Sequence, residues 1–94
     1  MRIAVEFLGL SRLIAGVKAR DFDLVEGTTF QGLVGVLGMT YPAMIGDVIQ
    51  ASGKALQAPN IFNLDGKRMI QQNQMQDRLK DGDRVVLMSM SAGG

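Results

Sequence analysis

The sequence predicts one small α+β domain, in which a mixed sheet of four to five strands carries one main helix on one face. Residues 2–8 and 85–88 have the alternating or continuous apolar patterns of strands, and an apolar stripe with helical spacing lies between them. At 94 residues, 47% hydrophobic and 20% charged, the chain is long enough for one hydrophobic core. We expect the first and last strands to be adjacent and parallel at the centre of the sheet.

The first third of the sequence predicts a pair of antiparallel strands, a hairpin. Its first strand points Ile3, Val5 and Phe7 to the core, and its second strand, residues 18–24, points Phe22 and Leu24 the same way. Residues 10–16 lie between them and end at Gly16, a segment that we interpret as a turn too short for a full helix. We expect this turn to place Leu10, Leu13 and Ile14 over one edge of the core.

The main helix is predicted to begin after Thr28 or Thr29, either of which can accept a hydrogen bond from a free amide of the first turn. Its core-facing stripe has the spacing i, i+3, i+4, i+7 and consists of Phe30, Leu33, Val34 and Leu37. Three glycines recur every third residue, Gly32, Gly35 and Gly38, and each lowers helix propensity. Close packing or simple tolerance explains them better than a function.

The rest of the chain predicts further short elements. Residues 43–50 are predicted to form one or two helical turns, and residues 60–64 and 67–70 a strand pair joined by a turn at Asp65-Gly66. Leu79 is expected in the core beside a tight turn that requires Gly82, with Asp81 and Asp83 as turn formers. We place the domain at residues 1–88 and a flexible tail that ends in Gly-Gly at residues 89–94.

Composition excludes several functions. The chain has no Cys and no His, so it lacks the side chains of most zinc sites, of iron–sulfur ligation and of Ser-His or Cys-His catalysis. A net charge of +1 gives no basic surface for nucleic acid, and no apolar run reaches the length of a membrane span. We expect a cytoplasmic protein with no bound cofactor or metal and no catalytic side chains of its own.

The order of four segments resembles a known family. These segments are Ile3-Ala4-Val5-Glu6-Phe7, Glu26-Gly27-Thr28-Thr29, Leu79-Lys80-Asp81-Gly82-Asp83-Arg84-Val85 and the terminal Ala92-Gly93-Gly94. Together they resemble the ubiquitin-like β-grasp sulfur carriers, and most closely the small subunit of molybdopterin synthase (MoaD), with the thiamine sulfur carrier (ThiS) as a shorter relative. The resemblance covers nearly the whole chain and implies the β-grasp fold.

The resemblance also implies an activity at the tail. An E1-like adenylyltransferase would use ATP to adenylylate the carboxylate of Gly94, and a sulfur donor would displace AMP to leave a thiocarboxylate. Gly93 and Gly94 carry no side chains that would obstruct a narrow active site. The family implies sulfur donation in molybdopterin biosynthesis, with a sulfur-accepting large synthase subunit (MoaE-like) as the second partner.

Two other functions stay open at this point. The activated Gly94 can instead be passed to a lysine, as in a protein modifier, or the glycines can be the frayed end of a plain binding module. Sulfur carriers also serve thiamine, cysteine and tRNA thiolation. Here Met88-Ser89-Met90-Ser91 stands where the molybdopterin-synthase type carries an aromatic residue and two prolines.

A docking surface is predicted near the tail. Val86, Met88 and Met90 alternate onto the face of the last strand that points away from the core, and the slim Ser91 and Ala92 follow. We predict that these five residues contact the partners. The alternative is that a loop or the helix of the same domain covers them. Arg84, on the same strand, is either paired with a partner carboxylate or solvated.

Overall fold

A computed structural model describes residues 1–90 of the chain. It contains five strands, two helices and two short 3₁₀ turns. In chain order these are β1 (Arg2–Phe7), α1 (Leu10–Ala15), β2 (Ala19–Asp23), α2 (Phe30–Thr40), a 3₁₀ turn (Pro42–Met44), β3 (Asn60–Leu64), β4 (Arg68–Met69), a 3₁₀ turn (Gln72–Gln74) and β5 (Arg84–Ser89). The strands form one sheet in the order β2-β1-β5-β3-β4.

The predicted mixed sheet is confirmed, with β1 and β5 at its centre. These two strands run parallel, with Val5 opposite Val85 and Phe7 opposite Leu87. The other neighbours, β1–β2, β5–β3 and β3–β4, are antiparallel. Because β1 and β5 are parallel, both end at the same edge of the sheet, and whatever follows them lies at one end of the molecule.

The core lies between α2 and one face of the sheet. Thr29 caps α2 by accepting a hydrogen bond from the amide of Gly32, as one of the two predicted caps. The predicted stripe of α2 is buried, and it packs in one cluster with the inward residues of β1, β2, β3 and β5: Ile3, Val5, Phe7, Phe22, Phe62, Val85 and Leu87. The fold class is therefore the predicted α+β arrangement with one main helix.

The glycines of α2 differ in their surroundings. A methyl group on Gly38 would come within 3.4 Å of Ile45, in the segment that crosses the helix, whereas one on Gly35 would meet nothing within 4 Å. Gly38 therefore serves close packing, and Gly35 is tolerated. Of the one or two helical turns predicted at residues 43–50, the structure has one, the 3₁₀ turn Pro42–Met44. Beyond it the chain is irregular, and Met44, Val48 and Ile49 are fully buried.

Residues 10–15 also depart from the prediction. They form a short α-helix, α1, that ends at Gly16 in the left-handed conformation, with φ of 74°. The side chains expected in the core point to solvent instead, with Leu10 47% and Leu13 80% exposed, while Ile14 packs partly against the core. The buried residue of this helix is Ser11.

Candidate functional site

The tail leaves the domain from the central strand of the sheet. β5 continues to Ser89, one residue beyond the predicted domain boundary, and Met90 donates its amide hydrogen to the carbonyl oxygen of Pro59 at 2.8 Å. The predicted reactive residues Gly93 and Gly94, and the predicted contact residues Ser91 and Ala92, lie outside the described residues. The described part of the site is therefore the place where the chain passes from β5 toward Gly94.

The outward face of β5 is less open than the sequence suggests. Val86 is only 6% exposed, Met88 is half-buried and Met90 is 52% exposed. The strand register places Val86 between Glu6 of β1 and Asn63 of β3, whose side chains share its face. Of the three predicted contact residues on this strand, only Met90 offers most of its side chain to a partner.

Arg84 is paired within the domain. Its Nη1 donates to Oε2 of Glu6 at 2.6 Å, across the β1–β5 pair. The two side chains are 47% and 35% exposed, so solvent screens this ion pair and it adds little to stability. Arg84 is thus neither simply solvated nor unpaired in the isolated domain.

Asn63 is the polar group at the centre of this face. It is 8% exposed, and its Nδ2 lies 3.4 Å from the sulfur of Met69, while its Oδ1 is buried without a hydrogen-bond partner among the described residues. An unpaired buried acceptor is costly, and a donor from a partner placed on this face would remove that cost.

A group of exposed apolar side chains lies beside the tail exit. Leu8, Leu10, Leu13 and Val17, here called the α1 ridge, are 37%, 47%, 80% and 44% exposed. From the sequence, Leu10 and Leu13 are expected over one edge of the core, as part of a turn. The signal that was missed is the buried Ser11, whose single hydroxyl proton is shared between the carbonyl oxygens of Leu8 at 2.9 Å and Leu87 at 3.3 Å.

The acidic residues of the turn before β5 serve the backbone. Asp81 accepts a hydrogen bond from the amide of Arg2 at 2.7 Å, and Asp83 accepts one from the amide of Lys80 at 2.8 Å. Gly82 has φ of 86°, which favours glycine. The expectation that Asp81 and Asp83 are turn formers is confirmed.

Charge pairing is concentrated at the start of β1. Arg2 Nε donates to Asp23 Oδ1 at 3.0 Å, and this hydrogen bond, with the charge of Arg2, lowers the pKa of the Asp23 carboxyl. The same hydrogen bond and the carboxylate charge raise the pKa of Arg2. Both side chains are exposed, at the end of the molecule opposite the tail exit.

Within residues 1–90 no three His, Cys, Asp or Glu side chains come together as a metal site. A surface cleft of about 240 Å³ near Asn60 is lined by uncharged residues: Gln31, Ala55, Leu56, Ala58, Asn60, Ile61, Ile70, Gln71, Gln72 and Met75. None of the helices in this part of the chain is long and apolar enough to cross a membrane.

Comparison with protein-family models and with curated proteins finds no match. Solved structures do match over nearly the whole chain. Small archaeal modifier protein 1 (SAMP1) of Haloferax volcanii has a TM-score of 0.82 at 17% identity and covers 100% of both chains. The putative molybdopterin converting factor subunit 1 of Pyrococcus furiosus has a TM-score of 0.70 at 20% identity, with 94% of this chain and 95% of that chain covered. Urm1 of Trypanosoma brucei has a TM-score of 0.75 at 27% identity, with coverage of 99% and 95%.

The chain has the ubiquitin-like β-grasp fold. This identification agrees with the strand order, with its parallel central pair, and with the single long helix across one face. It confirms the fold implied by the resemblance. In this β-grasp protein, the tail exit and the α1 ridge share one end of the sheet.

Proposed function

We propose that this β-grasp protein is a sulfur carrier whose working group is the carboxylate of Gly94. The observation that carries the proposal is the Gly93-Gly94 pair, the fourth and fifth residues after the end of β5, the central strand of a ubiquitin-like fold. In this arrangement β5 is paired on both sides up to the strand end, and the last four residues, Ser91 to Gly94, are small enough to thread into a narrow active site.

The chemistry follows from the poor reactivity of a carboxylate. A carboxylate oxygen of Gly94 attacks the α-phosphorus of ATP, forming the acyl adenylate and releasing pyrophosphate. A hydrosulfide equivalent from a sulfur donor then attacks the acyl carbon, AMP leaves, and the product is a thiocarboxylate. We assign the ATP site and the acid and base groups of these steps to an E1-like adenylyltransferase.

The acceptor that we propose is the precursor of molybdopterin. This chain would then be the small subunit of a molybdopterin synthase and would dock on a MoaE-like large subunit. The structural likeness to a putative molybdopterin converting factor subunit supports this choice. Thiamine, cysteine and tRNA thiolation are the other acceptor pathways of such carriers.

A second candidate function is protein modification through Gly94. It is favoured by the similarity to structures described as small archaeal modifier proteins. In this function a lysine amine attacks the acyl adenylate, or a thioester derived from it, and an isopeptide bond forms. Both functions begin with the same activated Gly94, and they differ in the nucleophile that follows.

Intact-mass spectrometry of the protein from cells with its own activating enzyme tests both functions. A species heavier by the mass difference between one sulfur and one oxygen atom, and missing when Gly94 is deleted, establishes the carrier. Unmodified protein together with lysine conjugates, lost upon deletion of Gly93 and Gly94, establishes the modifier instead. If neither product forms and the deletion changes only the mass, the chain is a plain binding module.

A further inference from the structure

We propose that the α1 ridge is the surface on which the ATP-dependent adenylating enzyme docks. The inference rests on the proposed activation of Gly94 and names where that enzyme holds the body of this protein. Eight large apolar side chains are exposed among residues 1–90, and four of them lie between Leu8 and Val17. Exposed apolar groups concentrated in one place mark interaction surfaces.

The fold does not need these side chains to be apolar. Leu13 is 80% exposed and Leu10 47%, so each contributes only part of its area to the folded state. The helix that carries them has six residues, too few to be stable in isolation, and it is held by Ser11 and by packing of Ile14. Polar residues at positions 10 and 13 would fold as well, so the leucines serve something other than the core.

The ridge is fixed beside the strand that leads to Gly94. The Ser11 hydroxyl donates to the carbonyl oxygen of Leu87 at 3.3 Å, and the Leu8 amide donates to the same oxygen at 3.0 Å. Leu87 precedes Met90 by three residues, about 10 Å of extended chain. Because β1 and β5 are parallel, the ridge after β1 and the tail exit after β5 lie at the same end of the sheet.

The length of the tail limits how far from Met90 the adenylating enzyme can contact the domain. From Met90 to Gly94 there are four residues, which reach at most about 14 Å when fully extended. An enzyme that holds the Gly94 carboxylate against ATP must bring the rim of its cleft within that distance of Met90. Leu87, where α1 is attached, lies within that reach of Met90, so a rim at this distance can cover the ridge.

The side chains of the α1 ridge indicate the character of the enzyme surface that would contact them. Between Leu8 and Val17 the one charged residue is Arg12. The complementary surface of the enzyme is accordingly apolar, and the contact releases water from leucine side chains rather than pairing charges. Docking energy of this kind offsets the entropy lost when the tail is fixed in the active site.

The test compares two exposed apolar sites of equal accessibility. Val25 is 81% exposed, like Leu13 at 80%, but it follows β2, which is antiparallel to β1, and so it lies at the opposite end of the sheet. The variants are Leu13→Gln, Leu10→Gln with Leu13→Gln, and Val25→Gln as the matched control. Glutamine keeps the net charge and, at positions 10 and 13, nearly the helix propensity of leucine.

The readout is ATP–pyrophosphate exchange by the adenylating enzyme of the same organism, with the full chain as the varied substrate. We expect the double variant to raise KM about tenfold or more with kcat nearly unchanged, Leu13→Gln to raise it less, and Val25→Gln to leave it unchanged. Thermal unfolding of each variant verifies the fold, and Leu13→Gln alone serves if the double variant is destabilised.

The outcomes separate the two proposals. Equal KM values for the ridge variants and the wild type, or an equal rise for Val25→Gln, overturn the docking inference and leave the activation of Gly94 standing. If the wild-type chain supports no ATP–pyrophosphate exchange while the same enzyme preparation is active on another carrier protein, both the proposed function and the docking inference are overturned.

Discussion

The two ends of the sheet are built in opposite ways. The end at the start of β1, here called the closed end, has its polar groups paired within the domain. The amino group of Met1 donates to the carbonyl oxygen of Leu24, Arg2 pairs with Asp23, and Asp81 accepts a hydrogen bond from the Arg2 amide. At the other end, where β1 and β5 finish, apolar side chains of the α1 ridge face solvent beside the tail exit. The difference indicates that the first end completes the fold and the second end is available to a partner.

The largest expected change in the free energy of unfolding is at a buried leucine, Leu79, compared with an exposed one, Leu13. Leu79 is 3% exposed beside the closed end, and Leu79→Ala is expected to lower the free energy of unfolding by about 2–4 kcal/mol because it leaves a cavity. Leu13→Ala, on the ridge, is expected to change it by less than about 0.5 kcal/mol. Urea unfolding measures both values. Similar losses at the two sites would remove the structural distinction between the ends.

A smaller effect is expected at the attachment of α1. Ser11→Ala removes a buried hydroxyl that donates to two backbone carbonyl oxygens, and we expect a loss of about 1 kcal/mol in the free energy of unfolding. The variant should also raise KM for adenylation, because the ridge loses its fixed position. Ser52→Ala, at an exposed loop serine, is the control. A stability loss with unchanged KM would show that the position of α1 does not matter for docking.

The smallest effect is expected from the exposed pair at the closed end. The pKa of Asp23 is lowered in the folded state, so its pairing with Arg2 stabilises the protein above the ordinary carboxyl value of 3.8 and is lost as pH falls through the lowered value. The difference in Tm between wild type and Asp23→Asn, followed from neutral pH downward, should therefore be small and should vanish in acid. If the difference in Tm between wild type and Asp23→Asn instead grew as the pH fell, the Arg2–Asp23 pairing would not be the stabilising interaction that we infer.

Local patterns in the sequence were sufficient for much of the fold. The stripe of α2, its cap and the Asp65-Gly66 turn depend on residues close together in the chain, and the structure confirms all three. In the turn, Asp65 and Gly66 have φ of 58° and 73°. The parallel pairing of the first and last strands at the centre of the sheet was also predicted from the α+β element order and is confirmed.

The errors arose where distant residues decide the outcome. Leu10 and Leu13 have the spacing of a buried stripe, yet Ser11 is the residue drawn inward, by a carbonyl oxygen 76 positions away. Val86 alternates to the outer face as predicted but is buried by neighbours on β1 and β3. Neither contact can be inferred from nearby sequence. The predicted roles of Gly93 and Gly94 stay predictions, since both lie beyond the described residues.

The place of β5 in the sheet has a consequence for biosynthesis. β1 and β2 form one hairpin and β3 and β4 another, and β5 alone joins them by pairing with both β1 and β3. A ribosome makes β5 after the other four strands, so the nascent chain holds two unconnected hairpins until residues 84–89 emerge. Completion of the sheet and delivery of the segment that carries Gly94 are thus one event, and a chain truncated before β5 lacks both a continuous sheet and the residue at which we propose activation.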